Sequence, residues 1–262
     1  VEDAAFSLNV ADNFADADNT VLTYSTSALP AWLSFNATTG EFSGTPANGD
    51  VGSYVVTVTA SDGLTNISDT FNINVGNTND APTDIALDLL SVAENAANGT
   101  TVAIATATDP DAGDSKSFSL TDNAGGRFAI NATTGVVTVA NSALLNFEAA
   151  TMHAITVRVT DTAGASYDEA FNIAVTNVNE TPDSLSLASG GSVVENAANG
   201  TVVAQLAGTD PDAGETLGYT LVDDAGGRFA INATTGVVTV ANGTALDFEA
   251  ASSHGLVARV TD

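Results

Sequence analysis

The stretch GRFAINATTGVVTVAN at residues 126–141 returns without a single change at residues 227–242, 101 residues later. Inside it Phe128 and Ile130 alternate with small or polar neighbours, and a Thr-Gly turn signal at Thr134-Gly135 precedes a second apolar run. Bulky residues at every second position, broken by turn residues, indicate half-buried strands. Working outward, the same spacing carries Glu94–Thr100 onto Glu195–Thr201, Asp109–Gly113 onto Asp210–Gly214, and Phe147–Ala150 onto Phe248–Ala251. No insertion separates the copies. A repeat of this length is a whole domain rather than one coil of a solenoid.

The strand pattern continues elsewhere. Val102 with Ile104, Ile155 with Val157 and Val159, Phe171 with Ile173 and Val175, and Phe71 with Ile73 and Val75 all alternate. No stretch has sustained helical periodicity with caps. Short strands separated by Asn-Gly, Ala-Gly-Gly and Thr-Gly turns predict an all-β chain of tandem Greek-key β-sandwiches, each of about 100 residues with its own core. Boundaries fall at residues 77–82 and 177–182, where each polar linker ends in a proline that cannot continue a ladder. The expected domains are 1–80, 81–180 and 181–262. The second copy runs on from Val159-Thr160-Asp161 through a strand to Val175, so the third is expected to lack its last strand and the first its opening one.

Charge narrows the partners. Lys and Arg total 5 against 32 Asp and Glu, a formal net charge of -27. Lys116, Arg127, Arg158, Arg228 and Arg259 make no basic patch, which excludes nucleic acid and an anionic membrane as partners. So much like charge opposes a compact state unless salt or bound cations neutralise it. There is no cysteine, hence no disulfide and no thiolate metal site. Oxygen-ligated calcium is another staple open to such a chain. No run is long enough for a membrane-spanning helix, and Val1-Glu2-Asp3 reads as the middle of a domain rather than a leader.

Residues 83–262 resemble cadherin repeats, specifically the bacterial cadherin-like modules of large surface adhesins of the RTX-adhesin type. Glu94-Asn95 and Glu195-Asn196 match the family's Pro-Glu-Asn, with Ala93 and Val194 in place of proline. Asp109-Pro110-Asp111 and Asp210-Pro211-Asp212 match its Asp-x-Asp, and Leu145–Glu148 and Leu246–Glu249 its Leu-Asp-Arg-Glu. Residues 159–164 match its Asp-x-x-Ala-x-Gly, and residues 177–182 its linker. The first unit departs from this pattern. Leu29–Asn36, Thr39–Pro46 and Asp50–Tyr54 resemble the dystroglycan-type cadherin-like module, which has no Leu-Asp-Arg-Glu.

The resemblance implies calcium, about three ions at each interdomain junction, held by six to eight oxygen ligands each. At the first junction the implied ligands are Glu2, Asp50, Asn79, Asp80, Asp109, Asp111 and Asp161, with Asp50 substituting for the missing glutamate. At the second they are Glu94, Glu148, Asn179, Glu180, Asp210, Asp212 and Asp262. Asp16, Asp18 and Asp62 match half of a site facing a preceding domain, and Glu195 and Glu249 half of one facing a following domain. Two unit charges about 4 Å apart repel by about 4 kcal/mol at an effective dielectric near 20, so an empty junction would splay and a filled one would lock.

The implied function is a calcium-rigidified stalk, extracellular on a bacterial surface or secreted, whose partners are calcium, its own neighbouring repeats and a cell-surface glycan or protein target. The expectation is that it is not an enzyme. His153 and His254 share a repeat position with no nucleophile motif beside them, and carboxylates recurring in every unit argue against a single glycosidase pair. The alternatives are a carbohydrate-binding or homophilic module, favoured by an exposed Trp32, and a non-catalytic appendage of a secreted hydrolase.

Overall fold

The computed structural model describes residues 1–18 and 21–262. Among them the regular structure is all β, with single-turn 3-10 helices and no α-helix. The strands are β1 (Phe6–Asn9), β2 (Thr23–Thr26), β3 (Leu33–Asn36), β4 (Glu41–Gly44), β5 (Gly52–Ser61) and β6 (Asn66–Val75). Then come β7 (Asp84–Leu87), β8 (Ser91–Ala93), β9 (Thr101–Thr108), β10 (Ser117–Asp122), β11 (Phe128–Ile130), β12 (Val136–Val139), β13 (Met152–Thr160) and β14 (Ser166–Thr176). The last are β15 (Ser184–Gly190), β16 (Val202–Thr209), β17 (Gly218–Asp223), β18 (Phe229–Ile231), β19 (Val237–Val240) and β20 (Val257–Thr261).

The chain forms two compact units. Unit one comprises residues 1–90, 101–138 and 154–171, and unit two comprises 91–100, 139–153 and 172–262. In unit one, the sheets β1-β4-β3 and β2-β5-β6 enclose Val10, Leu33, Phe42, Val56, Val58 and Ile73. The long β5–β6 hairpin pairs Gly52 with Val75 through to Ser61 with Asn66. Its period-2 pattern sends Val56, Val58 and Ala60 inward while Val55 faces out. Unit one also holds β7 against β9, β9 against β12, and β10 against β13, all antiparallel. In unit two, β8 runs parallel to the end of β14, pairing Ser91 with Ala174. The sheets β15-β16-β19-β18 and β17-β20 complete it, around Val203, Phe229, Val238, Val240 and Leu246.

The repeated stretch folds as a hairpin, as its pattern predicts: Phe229 pairs with Val240 and Ile231 with Val238. Its turn is chemical as well as steric. Asn131 Oδ1 accepts the amides of Thr133 and Thr134, each at 3.0 Å, an Asx turn that Asn232 repeats. Gly135 then sits at φ 69° with the Ala105 carbonyl oxygen only 2.4 Å from where a Cβ would stand, so glycine is required.

One alternation breaks. Val102 and Ile104 were expected on the same face, but Val102 and its neighbour Ala103 are both buried and Ile104 is 42% exposed. The register explains it: Val137 pairs with Ala103 and Thr138 with Thr101, leaving Val102 as the extra residue of a β-bulge that reverses the pleat beyond it. Unit two repeats the bulge at Val203, with Val203 and Ala204 buried and Gln205 in the place of Ile104.

Candidate metal centre

Three of the acid groups are built on a glutamate next to a residue in the left-handed region, and in two of them, at Glu2 and Glu94, that glutamate is buried. Asp3 (φ 56°), Asn95 (φ 54°) and Asn196 (φ 54°) follow Glu2, Glu94 and Glu195. Asn and Asp tolerate this conformation better than other side-chain-bearing residues, which is the physical content of the Glu-Asn pair. The turn lays the glutamate beneath the following linker. Thr78 donates its amide to Glu2 Oε1 at 2.8 Å, and Val178 donates to Glu94 Oε1 at 2.8 Å. Glu94 Oε2 also accepts the Phe147 amide at 2.8 Å. Glu2 and Glu94 are 1% and 2% exposed.

The Asp-x-Asp segments form the opposing side. Within them the Asp111 amide donates to Asp109 Oδ1 and the Asp212 amide to Asp210 Oδ1, both at 2.9 Å. The linker docks on them: the Asp80 amide donates to Asp111 Oδ2 and the Glu180 amide to Asp212 Oδ2, both at 2.7 Å. Asn79 donates to Asp161 Oδ2 at 2.8 Å, and Asn179 donates to Asp262 Oδ2. Asn95 donates to Glu180 Oε1 at 2.7 Å.

These bonds gather acids into groups whose oxygens lie within 4.8 Å of one another. They are Glu2 with Asp80 and Asp111, and Asp109 with Asp114 and Asp161, in unit one; Glu94 with Glu148 and Asp212, and the exposed Glu195 with Asp247 and Glu249, lie in unit two. Asp50 enters none of these groups; its Oδ2 accepts the Ala47 amide at 3.0 Å. Asn79, Asn179, Glu180, Asp210 and Asp262 join through the hydrogen bonds above. Asp16 and Asp18 keep the Asp-x-Asp bond, at 3.0 Å, and Asp62 caps its own loop, accepting the Leu64 and Thr65 amides.

Two residues were missed. Asp114 was legible, since Glu215 repeats an acid at its position 101 residues on. Asn48, which donates its amide to Asp80 Oδ2, carries no charge and lies outside the repeat, so nothing in the sequence marked it.

The donor set fits a calcium ion. Among the described residues, buried carboxylate oxygens without a hydrogen-bond partner are Glu2 Oε2, Asp16 Oδ2, Asp109 Oδ2 and Asp111 Oδ1 in unit one, and Glu180 Oε2, Asp210 Oδ2 and Asp212 Oδ1 in unit two; all but Asp16 belong to the acid clusters. Burying an ionised oxygen without a partner is costly, and a hard cation with all-oxygen ligation removes that cost. The titration of the groups agrees. The Glu148 carboxyl is held above its ordinary value: a bond from its own backbone amide pulls it down, but desolvation and the charges of Glu94, Asp212 and Glu180 together push it up. Asp161 is held below its ordinary value, first by the Asn79 amide and then, against desolvation, by the amides of Ala165, Gly164 and Ala163.

The other sequence candidates pack. Trp32 sits edge-on to Phe6 and Tyr54 at centroid distances of 6.0 and 5.8 Å, against the unit-one core. His254 lies 6.1 Å from the ring of Phe229. No helix among the described residues is long and apolar enough to cross a membrane.

Comparison with known proteins places these features. The profile of the cadherin domain matches residues 89–176 and 190–262, and a profile described as a putative Ig domain matches residues 1–76. Mouse Protocadherin Fat 4 is 33% identical over 150 residues, which are 53% of this chain and 3% of that protein. Mouse Cadherin EGF LAG seven-pass G-type receptor 2 is 33% identical over 195 residues, 71% of this chain and 7% of its own length. The chain thus spans a small fraction of the relatives it matches. Among solved structures, mouse Cadherin-23 EC22-24 superposes with a TM-score of 0.64 at 24% identity, over 87% of this chain and 78% of that one. The Protocadherin GammaB4 extracellular domain does so with a TM-score of 0.67 at 23% identity, over 94% of this chain and 41% of that one. At those identities the structures speak for the fold.

Proposed function

The chain belongs to the cadherin domain family, and we propose that it is a calcium-binding segment of an extracellular adhesin, in which the acid clusters capture calcium and so stiffen the chain. The observation that carries the reading is the set of buried, unpartnered carboxylate oxygens on Glu2 and Asp111 in one cluster and on Asp212 in the other. In unit one Glu2, Asp80, Asp109, Asp111 and Asp161 would hold the metal, with Asn79 as a further donor, while the Asp50 carboxylate is taken by the Ala47 amide. In unit two Glu94, Glu148, Glu180, Asp210, Asp212 and Asp262 would hold it, with Asn179. The resemblance to cadherin repeats implies about three ions per cluster. Bound calcium supplies the positive charge that lets opposed carboxylates stay ionised in contact. The chain's own groups do the rest: linker amides clamp the glutamates and aspartates, and the left-handed turns fix where the glutamates lie.

The domain division that fits this reading is 1–80, 81–180 and 181–262, with polar linkers between. The first domain is read as the dystroglycan-type variant and the host as a bacterium, on the resemblance of residues 29–54 and of the repeats to such modules. The adhesive target would be a cell-surface glycan or protein, and the calcium-loaded segment would act as a stalk. Trp32, packed among Phe6 and Tyr54, favours the stalk over a sugar-binding platform.

Small-angle scattering tests the reading. In calcium the particle should be more extended and more uniform than in EDTA. Identical profiles in the two buffers would reject the stiffening mechanism.

A further inference from the structure

We propose that the two acid clusters take up calcium in order, unit two first, because Asn48 stands in the unit-one cluster where Glu148 stands in the other. The inference rests on the calcium-binding reading above. Two backbone bonds establish the equivalence: the Asp3 amide donates to the Pro46 carbonyl at 2.8 Å, and the Asn95 amide to the Leu145 carbonyl at 3.2 Å. Pro46 and Leu145 therefore hold one place behind the buried glutamates. Asn48 follows Pro46 by two residues, and Glu148 follows Leu145 by three. Both side chains reach their cluster, Asn48 through its bond to Asp80 and Glu148 through its position with Glu94 and Asp212.

The residue matching Glu148 by count is Gly49, which offers no ligand. Asp50 is held back by the turn it builds: its Oδ2 accepts the Ala47 amide at 3.0 Å, and its carbonyl accepts the Tyr54 hydroxyl at 2.9 Å. Beside the buried glutamate, unit one thus offers the neutral Asn48 amide where unit two offers the Glu148 carboxylate; an amide lies on the linker acid in both, Asn48 on Asp80 and Asn95 on Glu180, so the difference is the one carboxylate. The first cluster remains a site, since Glu2 Oε2 and Asp111 Oδ1 are unpartnered in side chains only 1% and 6% exposed. Calcium affinity follows ligand charge count and site rigidity, so one carboxylate fewer beside the buried glutamate should weaken the unit-one position at Glu2 by about tenfold or more, apart from the separate group of Asp109, Asp114 and Asp161.

The test is calorimetric titration of calcium chloride into the whole chain, stripped with chelator, at fixed ionic strength. Wild type should show two affinity classes about tenfold or more apart. Asn48→Glu should strengthen the weak class by a similar factor, and Glu148→Gln should weaken the tight one. Gly49→Glu is the second route to the same result, because nothing lies within 4 Å of a Cβ built at Gly49. As a separate readout, the thermal midpoint should climb in two steps with calcium for wild type and in one for Asn48→Glu. A single class in wild type, or a weak class unmoved in folded Asn48→Glu and Gly49→Glu, overturns the ordering while leaving calcium binding intact. No calcium heat in any variant overturns the calcium reading and the ordering with it.

Discussion

In unit one Glu2 accepts the Thr78 amide and Asp111 the Asp80 amide; in unit two Glu94 accepts the Val178 amide and Asp212 the Glu180 amide. Each pair of bonds has the same lengths in both places, 2.8 and 2.7 Å. Yet the segments around Glu2 and Asp50 share none of the 101-residue repeat that joins residues 94–150 to 195–251. What the two regions keep is the frame of backbone amides donating to carboxylates. What they vary is the inventory of side chains around that frame: Asn48 in one, Glu148 and Asn95 in the other. The frame decides where a cation could sit, and the inventory decides how tightly.

The largest way to break the comparison is to remove one aspartate from either side. Asp212→Ala deletes an oxygen pair that both receives the Glu180 amide and carries an unpartnered Oδ1. It should abolish the tight calcium class and leave the weak one, whereas Asp111→Ala should do the reverse. Calcium titration of both variants reads this directly. If either substitution erased both classes, the clusters would not be independent sites.

A smaller effect separates the two glutamates without metal. Glu94 receives two backbone amides, from Phe147 and Val178, where Glu2 receives one from Thr78 in the bonds described. Hydrogen bonds to a charged group contribute about 1.5–3 kcal/mol each, and a buried donor left alone costs its desolvation. Glu94→Ala should therefore destabilise the chelated protein by about 3 kcal/mol or more, and Glu2→Ala by roughly half that. Thermal unfolding in EDTA compares them; equal losses would show that the second amide on Glu94 contributes nothing.

The sequence showed most of the architecture, because half-buried strands write their burial into every second residue. Val56, Val58 and Ile73 inside and Thr57 and Asn72 outside follow the expected alternation. The bulge at Val102 was not legible from one copy, since a bulge changes which face follows without changing composition. It was legible from two: Gln205 in the register of Ile104 is the mark of an outward position. The acid clusters divide in the same way. Acids that recur at fixed spacing, Glu94, Glu148, Asp210 and Asp212, could be picked out, and Asp114 could have been through Glu215. Asn48 and Asp50 could not be ranked, because which side chain reaches Asp80 depends on a 3-10 turn that spends the Asp50 carboxylate on its own backbone. Short-range hydrogen bonding of this kind competes with ligation and leaves no periodic trace.

The smallest effect supplies the control. Arg158 and Asp168 form a two-pronged ion pair across β13 and β14, Nε to Oδ1 at 2.7 Å and Nη2 to Oδ2 at 2.8 Å, and neither side chain belongs to an acid group. The hydrogen bond from Arg158 holds the Asp168 carboxyl below its ordinary 3.8, against some desolvation and with the help of the guanidinium charge. A folded value lowered in this way means the pair's contribution is fully present above pH 3.8 and is lost as pH falls through the lowered value. The side chains are 43% and 40% exposed, so solvent and salt screen the pair and the contribution is small. Asp168→Asn should lower the thermal midpoint slightly and evenly from pH 5 to pH 8, about the range in which such pairs stay ionised, with the two curves converging in stronger acid. Its calcium titration should match wild type. A loss at neutral pH comparable to that of Glu94→Ala would mean that an exposed ion pair does as much as a buried, amide-clamped carboxylate, and the distinction between frame and inventory would have to be redrawn around charge alone.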